Sequence, residues 1–256
     1  MICKWIADHR NRHANLFTTM GELNRECHRF LSCRKVDVTS ELQNTTAVLF
    51  ARMMELFQGV FIAVEHGMMS VGSIAFRAYL EAYFYLMAIH KDPTFLKQYL
   101  DQLHVERKRL VNRIRNSSAP CLDALRKSLD DNLALEIRET IKEQNIRPLK
   151  VEDVARRADL EVVYATAYLV LSGAVHTTAW DLESHLDYDD KKKAIQAFKY
   201  GPSDRNTENL LAQAGLCMAD ALETISCIFG EDRVQLCATF KTQFQAARER
   251  SSAWER

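Results

Sequence analysis

Residues that end helices are scarce in this chain, which has 8 glycines and 4 prolines among its 256 residues. Both residue types interrupt helices and supply the turns of β-structures, so their scarcity favours long helices over a turn-rich β fold. Seven of these twelve residues coincide with breaks in the apolar pattern. They predict helix ends at Gly67, Gly72, Pro93, Pro120, Pro148, Pro202 and Gly230.

Between these breaks, apolar residues recur at steps of three, four and seven residues, which is the period of an amphipathic helix. Ser40 followed by Gln43 forms a capping box and predicts the start of the second helix, about 25 residues long. The first helix is predicted to run to Lys35. Further helices are predicted over 71–91, 94–116, 121–144, 161–179, 207–229 and 231–250.

These patterns predict an all-α fold, a single-domain bundle of seven or eight helices. The helices over 71–91 and 161–179 carry few charges and are expected to be buried in its middle. Residues 1–40 are expected to form an amphipathic N-terminal helix that acts as an interaction arm, and residues 41–256 the bundle. Residues 181–193, DLESHLDYDDKKK, are predicted to be a solvated linker.

The balance of charge and the cysteines limit the class of protein. Lysine and arginine total 34, aspartate and glutamate also total 34, and the net charge of zero argues against a surface that binds nucleic acid generally. Seven cysteines without framework spacing, and a start without an apolar stretch, favour a reduced cytoplasmic location. Residues 162–180 carry no charge, but their polar residues favour a buried helix, so no membrane partner is expected.

Two charged residues stand out in the apolar helix over 71–91. Arg77 and Glu81 are four residues apart and therefore share one helix face. Because an isolated buried charge is costly, each must pair with the other, with a neighbouring helix or with a ligand. A salt bridge that fixes the register of two helices and a functional site are both compatible with this pattern.

The helix over 161–179 carries a polar stripe at the same spacing, formed by Tyr164, Tyr168, Ser172 and His176. If the two helices are neighbours, the stripe can hydrogen-bond to Arg77 and Glu81. A histidine beside an acid and a cation has the components of general acid–base catalysis, so Arg77, Glu81 and His176 are candidate catalytic residues and Tyr164, Tyr168 and Ser172 candidate binding residues. A satisfied core histidine is the alternative.

Two other candidate sites follow from charged residues. Arg107, Arg109 and Arg113 lie in a basic stretch of the helix over 94–116 and could contact RNA or DNA phosphates, although the spread of the cations around the helix favours a solvated face. His176, Asp181 and His185 could bind a metal ion, but their spacing matches no common ligand pattern. Phosphate-binding loops, a nucleophile elbow and paired CxxC motifs are lacking in the sequence, which gives no support to nucleotide hydrolysis or α/β-hydrolase chemistry. No metal or cofactor is expected.

The segments FRAYLEA, VEDVARRADLEVVYATAYLVLSGAVH and KYGPSD occur in this order. This arrangement resembles an uncharacterised family of bacterial helical proteins of unknown function, with an Arg-x-x-x-Glu helix, a Tyr-x-x-x-Ser-x-x-x-His helix and a Gly-Pro-Ser turn. The resemblance covers about residues 45–230. It implies a compact α-helical bacterial protein and places Arg77, Glu81, Tyr168, Ser172 and His176 at the family's characteristic polar positions.

More loosely, the helical plan is similar to HEPN domains, many of which are dimeric, metal-independent RNases of toxin–antitoxin and antiviral systems. Their Arg-x4-6-His motif is absent before every histidine of this chain. The likeness implies an RNA-directed effector in a toxin or antiphage system, with a homodimeric state and a partner protein from the same operon. The second hypothesis is a non-catalytic, dimeric helical module that interacts with a partner or binds a small ligand.

Overall fold

The computed structural model describes residues 2–129, 131–189 and 194–254. Helices dominate these ranges, and the predicted all-α class is confirmed. The helical segments are α1 (Ile2–Arg12), α2 (Ala14–Ser32), α3 (Glu41–Glu65), α4 (Met69–Lys91), α5 (Phe95–Asn116), α6 (Asp123–Ser128), α7 (Asp131–Glu143), α8 (Val151–Arg157), α9 (Glu161–Val163), α10 (Leu169–His176), α11 (Ala179–Glu183), α12 (Thr207–Ile228) and α13 (Val234–Trp254). A 3₁₀ turn spans Pro120–Leu122, and a π-helical turn over Tyr164–Tyr168 joins α9 to α10.

The main core lies where α3, α4 and α12 meet. α3 packs along α4, and α12 contacts both of them as well as α2 and α13. The predicted central position of the helix over 71–91 is correct, because α4 has buried residues on several faces, including Phe76, Tyr79 and Phe84. By length and apolar composition α3 and α12 could each cross a bilayer, but core helices pass the same test.

The helix predicted over 161–179 is not buried in the middle, and this expectation is corrected. The segment is divided into α9, the π-helical turn and α10, and it ends at His176 because Thr177 adopts a left-handed φ of 50°. Of its side chains Tyr168 is buried, whereas Leu169 and Val170 are 51% and 48% exposed. One face of the segment packs on α4 and the other borders a cleft. The scarcity of charged residues in this segment is therefore explained by its position in the wall of a cleft and not by complete burial.

The segment predicted as one N-terminal helix forms two. α1 ends at Arg12, and His13 has the non-helical angles φ −113° and ψ 27°. The apolar face of α2, which includes Phe17, Met20 and Phe30, lies in the same core as residues from α3 and α12. The use of residues 1–40 as an interaction arm stays a prediction.

The region predicted as a solvated linker contains ordered elements. Residues Ala179–Glu183 form α11, and β1 (Leu186–Asp189) pairs antiparallel with β2 (Ala194–Phe198). Leu186 lies opposite Phe198, and Asp189 lies opposite Ala194. Residues 190–193 of the predicted linker lie outside the described residues. After the hairpin, the Gly-Pro-Ser turn lies beside the α3–α4 turn, where Ser203 contacts Gly67.

The second half of α5 forms a small core of its own with α7. Val111 packs with Ala134 and Ile137, separately from the main core. We call residues 104–143 the α5–α7 extension. The single helix predicted over 121–144 is divided here into the 3₁₀ turn, α6 and α7.

Gly67 joins three parts of the chain at the α3–α4 turn. Its φ of +71° favours glycine, and a Cβ atom there would lie 2.6 Å from both Pro202 and Trp5. The backbone N–H of Ser203 donates to the carbonyl of Gly67 at 3.1 Å. The Gly-Pro-Ser turn is therefore held against α1 and the start of α4.

Candidate functional site

Four of the predicted site residues come together between α4 and α10. The guanidinium of Arg77 pairs with the Glu81 carboxylate on the same helix face, at 2.9 Å from Nη1 to Oε1. Across the helix interface Arg77 Nε donates to Ser172 Oγ at 3.0 Å, and Nη2 donates to the Tyr168 hydroxyl at 2.6 Å. We call Arg77, Glu81, Tyr168 and Ser172 the polar cluster.

Tyr168 connects the two charges of the polar cluster. Its hydroxyl accepts from Arg77 and donates to Glu81 Oε1 at 2.5 Å, while the Arg77 guanidinium carbon lies 4.6 Å from the Tyr168 ring centroid. Burial raises the pKa of the Tyr168 phenol, and the hydrogen bond to Glu81 and its negative charge raise the pKa further. The phenol therefore stays protonated and serves as a donor to the carboxylate.

The π-helical turn supports this arrangement locally. Such turns carry one more residue than an α-helical turn and change the direction of the side chains that follow. Here Tyr164 and Tyr168 stack with ring centroids 5.2 Å apart, and both rings contact Phe84 of α4. Ser172, one turn later, donates its hydroxyl proton to the carbonyl of Tyr168 at 2.8 Å. Tyr164 thus takes part in ring packing beside the polar cluster.

The polar cluster lies at the edge of the core. The side chains of Arg77 and Glu81 are 20% and 35% exposed. Solvent therefore screens the ion pair in part, and its contribution to stability is on the order of 1 kcal/mol or less. Since each charge also has hydrogen-bond partners, the cluster can fix α10 on α4 without leaving a buried charge uncompensated.

His176 is exposed at the end of α10, contrary to the expectation that it is buried. Within the described residues no hydrogen bond or ion pair joins it to Arg77 or Glu81. A step of four residues rotates a helix position by about 40°, so a stripe at that spacing drifts away from the interface along the helix. Tyr168 and Ser172 remain in contact with α4, and His176 does not reach the polar cluster through a hydrogen bond.

The predicted basic site lies on a different element. Arg107, Arg109 and Arg113 are on the second half of α5, where all three are exposed. They form no ion pair with another described residue. The structure therefore leaves their charges free for solvent or for a ligand and does not bring them into the polar cluster.

A cleft of about 1180 Å³ lies along the opposite side of α10. Apolar side chains from α4 and from the α9–α10 segment line much of it, among them Met69, Val71, Phe76, Val170 and Leu171. We call this space the α10 cleft. Its other walls come from the start of α1, the α3–α4 turn, α11, the segments that flank the hairpin, the start of α12 and Arg248 of α13. Sequence patterns could not identify it, because its lining comes from segments far apart in the chain.

Polar groups of the α10 cleft include Lys199, Arg205 and Arg248, together with Asp181 and Glu183. Lys199 pairs with Asp187 at 3.4 Å. The alternative metal site at His176, Asp181 and His185 is not assembled, since no group of three His, Cys, Asp or Glu side chains in the described part of the chain could hold a metal ion.

Comparison with known proteins identifies the family of this chain. Residues 43–194 match the model described as Family of unknown function (DUF5677). No curated protein and no solved structure matches the chain. The matched span contains the whole polar cluster, whereas the Gly-Pro-Ser turn follows it, and the looser likeness to HEPN domains stays a prediction. Since the match covers more than half of the chain, the protein belongs to DUF5677, a family of unknown function.

Proposed function

We propose that this protein is a non-catalytic helical module that binds a small ligand in the α10 cleft. The observation that carries the proposal is that the two sides of α10 have different surroundings. On one side the polar cluster satisfies its own charges and fixes the helix on α4. On the other side the same helix borders a large, mainly apolar cleft.

The contacts that Arg77 already makes favour a binding function over a catalytic one. All three of its guanidinium nitrogens already donate within the polar cluster, to Ser172, Tyr168 and Glu81. Stabilisation of a transition state requires donors directed at the position where charge develops. The expected catalytic histidine, His176, has no hydrogen bond to an acid that would orient it among the described residues.

The α10 cleft has the features of a ligand site. Pockets for small molecules usually enclose about 300–1,000 Å³, have mostly apolar walls and carry a few polar groups that orient the ligand. The α10 cleft is somewhat larger, at about 1180 Å³. Because the polar cluster holds one wall in place, the cavity is preformed, which lowers the entropic cost of binding.

The neutral fluorescent probe N-phenyl-1-naphthylamine tests the proposal. Val170 lines the α10 cleft and is 48% exposed, while its neighbour Leu169 is 51% exposed and lies outside the lining. We expect the probe to bind the wild-type protein with 1:1 stoichiometry, to be excluded by Val170→Trp and to bind Leu169→Trp normally. Absence of binding to the wild type, or equal binding to both variants, would contradict the proposal.

An RNA-directed effector of the toxin or antiphage type is the second candidate. The observation in its favour is that Arg107, Arg109 and Arg113 are exposed without an ion pair to a described residue. Binding of a labelled RNA should weaken in Arg109→Gln/Arg113→Gln and become less sensitive to salt. Arg25→Gln/Arg52→Gln is the matched control, because both residues lie in exposed pairs on other helices.

Catalysis by this second candidate is tested separately. RNA cleavage and toxicity on expression should be lost in His176→Ala, a substitution at an exposed position outside the core. Cleavage that persists in this variant would exclude His176 as the catalytic residue. The homodimer, the partner protein from the same operon and the cytoplasmic location remain proposals that sedimentation, co-purification and cell fractionation would test.

A further inference from the structure

We infer that the ligand of the α10 cleft is an anionic amphiphile, with an apolar chain along α10 and a negatively charged head group at the start of α12. This inference rests on the proposed ligand-binding function. It depends on three observations, which are the apolar lining, the unpaired arginines and the position of the acidic residues.

The apolar lining defines the body of the ligand. Val162, Val170 and Leu171 extend along the α9–α10 segment, and Met69 and Phe76 face the same space from α4. Val162 and Val170 are 74% and 48% exposed. Burial of a ligand's methylene groups against apolar side chains is favourable, so an alkyl chain that covers these residues would bind.

Unpaired cations define the position of the head group. Arg205 and Arg248 both line the α10 cleft, and neither forms an ion pair with a described residue. Arg205 directly precedes Asn206, the N-cap residue of α12. Arginine side chains suit carboxylate and phosphate groups.

The acidic residues orient the ligand. Asp181 and Glu183 line the α10 cleft from α11, which leads into the hairpin. There Lys199 is already paired with Asp187. The carboxylates of Asp181 and Glu183 would repel an anionic group placed beside α11. A negatively charged head group is therefore directed towards Arg205 and Arg248, while the apolar chain occupies the space along α10.

Three single-chain ligands that differ only in their head groups test the inference. Dodecyl phosphate, dodecanol and dodecyltrimethylammonium, each below its micelle concentration, would compete with bound N-phenyl-1-naphthylamine. We expect dodecyl phosphate to compete about tenfold more strongly than the other two, because one charge-assisted contact contributes roughly 1.4 kcal/mol or more. Arg205→Gln/Arg248→Gln should abolish this preference without loss of probe binding, and Arg25→Gln/Arg52→Gln should retain it.

The outcomes separate the inference from the proposed function. Equal competition by the three ligands, or a preference for dodecyltrimethylammonium, would overturn the anionic head group while the ligand site itself stands. Failure of the probe to bind at all would overturn both. Flotation with phosphatidylglycerol vesicles that is lost in Val170→Trp would identify a bilayer lipid as the source, and binding of dodecyl phosphate without flotation would identify a free amphiphile.

Discussion

Tyr168 is the residue through which the two helices of the site are joined. Its hydroxyl contacts both Arg77 and Glu81, and its ring stacks on Tyr164. We predict that Tyr168→Phe lowers the free energy of unfolding by about 1–2 kcal/mol, since a hydrogen bond to each charge is lost while the ring packing remains. Denaturant titration would measure this change.

Tyr164→Phe is the matched control for this prediction. The Tyr164 ring packs on Tyr168 and Phe84, but its hydroxyl has no hydrogen-bond partner among the described residues. The control should change stability by less than about 0.5 kcal/mol. Equal effects of the two substitutions would mean that the hydrogen bonds of the polar cluster contribute nothing measurable.

A second residue-scale prediction concerns Gly215 of α12. A Cβ atom at this position would lie 2.4 Å from Cζ of Phe244, which is fully buried. Gly215→Ala should therefore destabilise the protein by about 1–3 kcal/mol although alanine is the better helix former. At Gly21 of α2 no atom lies within 4 Å of the added Cβ, so Gly21→Ala should stabilise by about 0.5–1 kcal/mol. The same sign for both substitutions in urea unfolding would refute this explanation.

At the scale of elements, the sequence predicted most of the helices because their apolar periods are long. The predicted helix start is confirmed, since the Ser40 side chain accepts from the N–H of Gln43 at the start of α3. The reciprocal half of the capping box differs, because the Gln43 side chain accepts from the N–H of Asp37 and not from that of Ser40. The pairing of Arg77 with Glu81, and their contact with Tyr168 and Ser172, also followed from spacing and from the cost of buried charge. These features depend on local periodicity, which the sequence records directly.

The elements that were missed either lack a clear local pattern or depend on contacts between distant segments. The charged run before β2 gave no alternating pattern, so the hairpin could not be distinguished from a linker. The small number of charged residues in α10 is compatible with a fully buried helix and with the wall of a cleft. Only the positions of α1, α11 and α12 decide between these two explanations. The sequence likewise could not show that His176 lies away from the interface, because this depends on which face of α10 meets α4.

The docking of α1 on the bundle gives an element-scale prediction about pH. His9 of α1 is fully buried, with Nδ1 3.3 Å from the Glu65 carbonyl and Nε2 3.1 Å from the Thr207 hydroxyl. These contacts suit the neutral ring, in which Nδ1–H donates to Glu65 and Nε2 accepts from Thr207. Burial lowers the pKa of His9, and the nearby His13 and Arg12 lower it further.

The sign of the pH effect follows from linkage. With a lowered pKa in the folded state, the unfolded chain binds the His9 proton more readily below its ordinary pKa of about 6.5. The free energy of unfolding should therefore fall as the pH drops from 8 to 5, and part of this fall should vanish in His9→Gln. His90→Gln, which removes an exposed histidine of α4, should keep the wild-type slope. An unchanged slope in His9→Gln would contradict the prediction.

At the scale of the whole molecule, stability is expected to be uneven. The main core joins α2, α3, α4, α12 and α13, whereas the α5–α7 extension is held by the small cluster of Val111, Ala134 and Ile137. Regions with few buried apolar contacts open locally at a lower free energy than the global one. Backbone amides of α7 should therefore exchange with deuterium at least roughly tenfold faster than those of α12.

A pair of truncations tests whether the extension opens as an independent unit. Ile137→Ala removes buried volume from the small cluster, and Ile225→Ala removes the same volume from α12 in the main core. The first should accelerate exchange in α7 and the second half of α5 while α12 keeps its protection. The second should lower the global free energy of unfolding by about 2–5 kcal/mol and accelerate exchange in α3, α4 and α12. If Ile137→Ala accelerated exchange in α12 to the same extent, the α5–α7 extension and the main core would form one cooperative unit. RNA or another ligand bound to the arginines of the extension would then stabilise the whole fold.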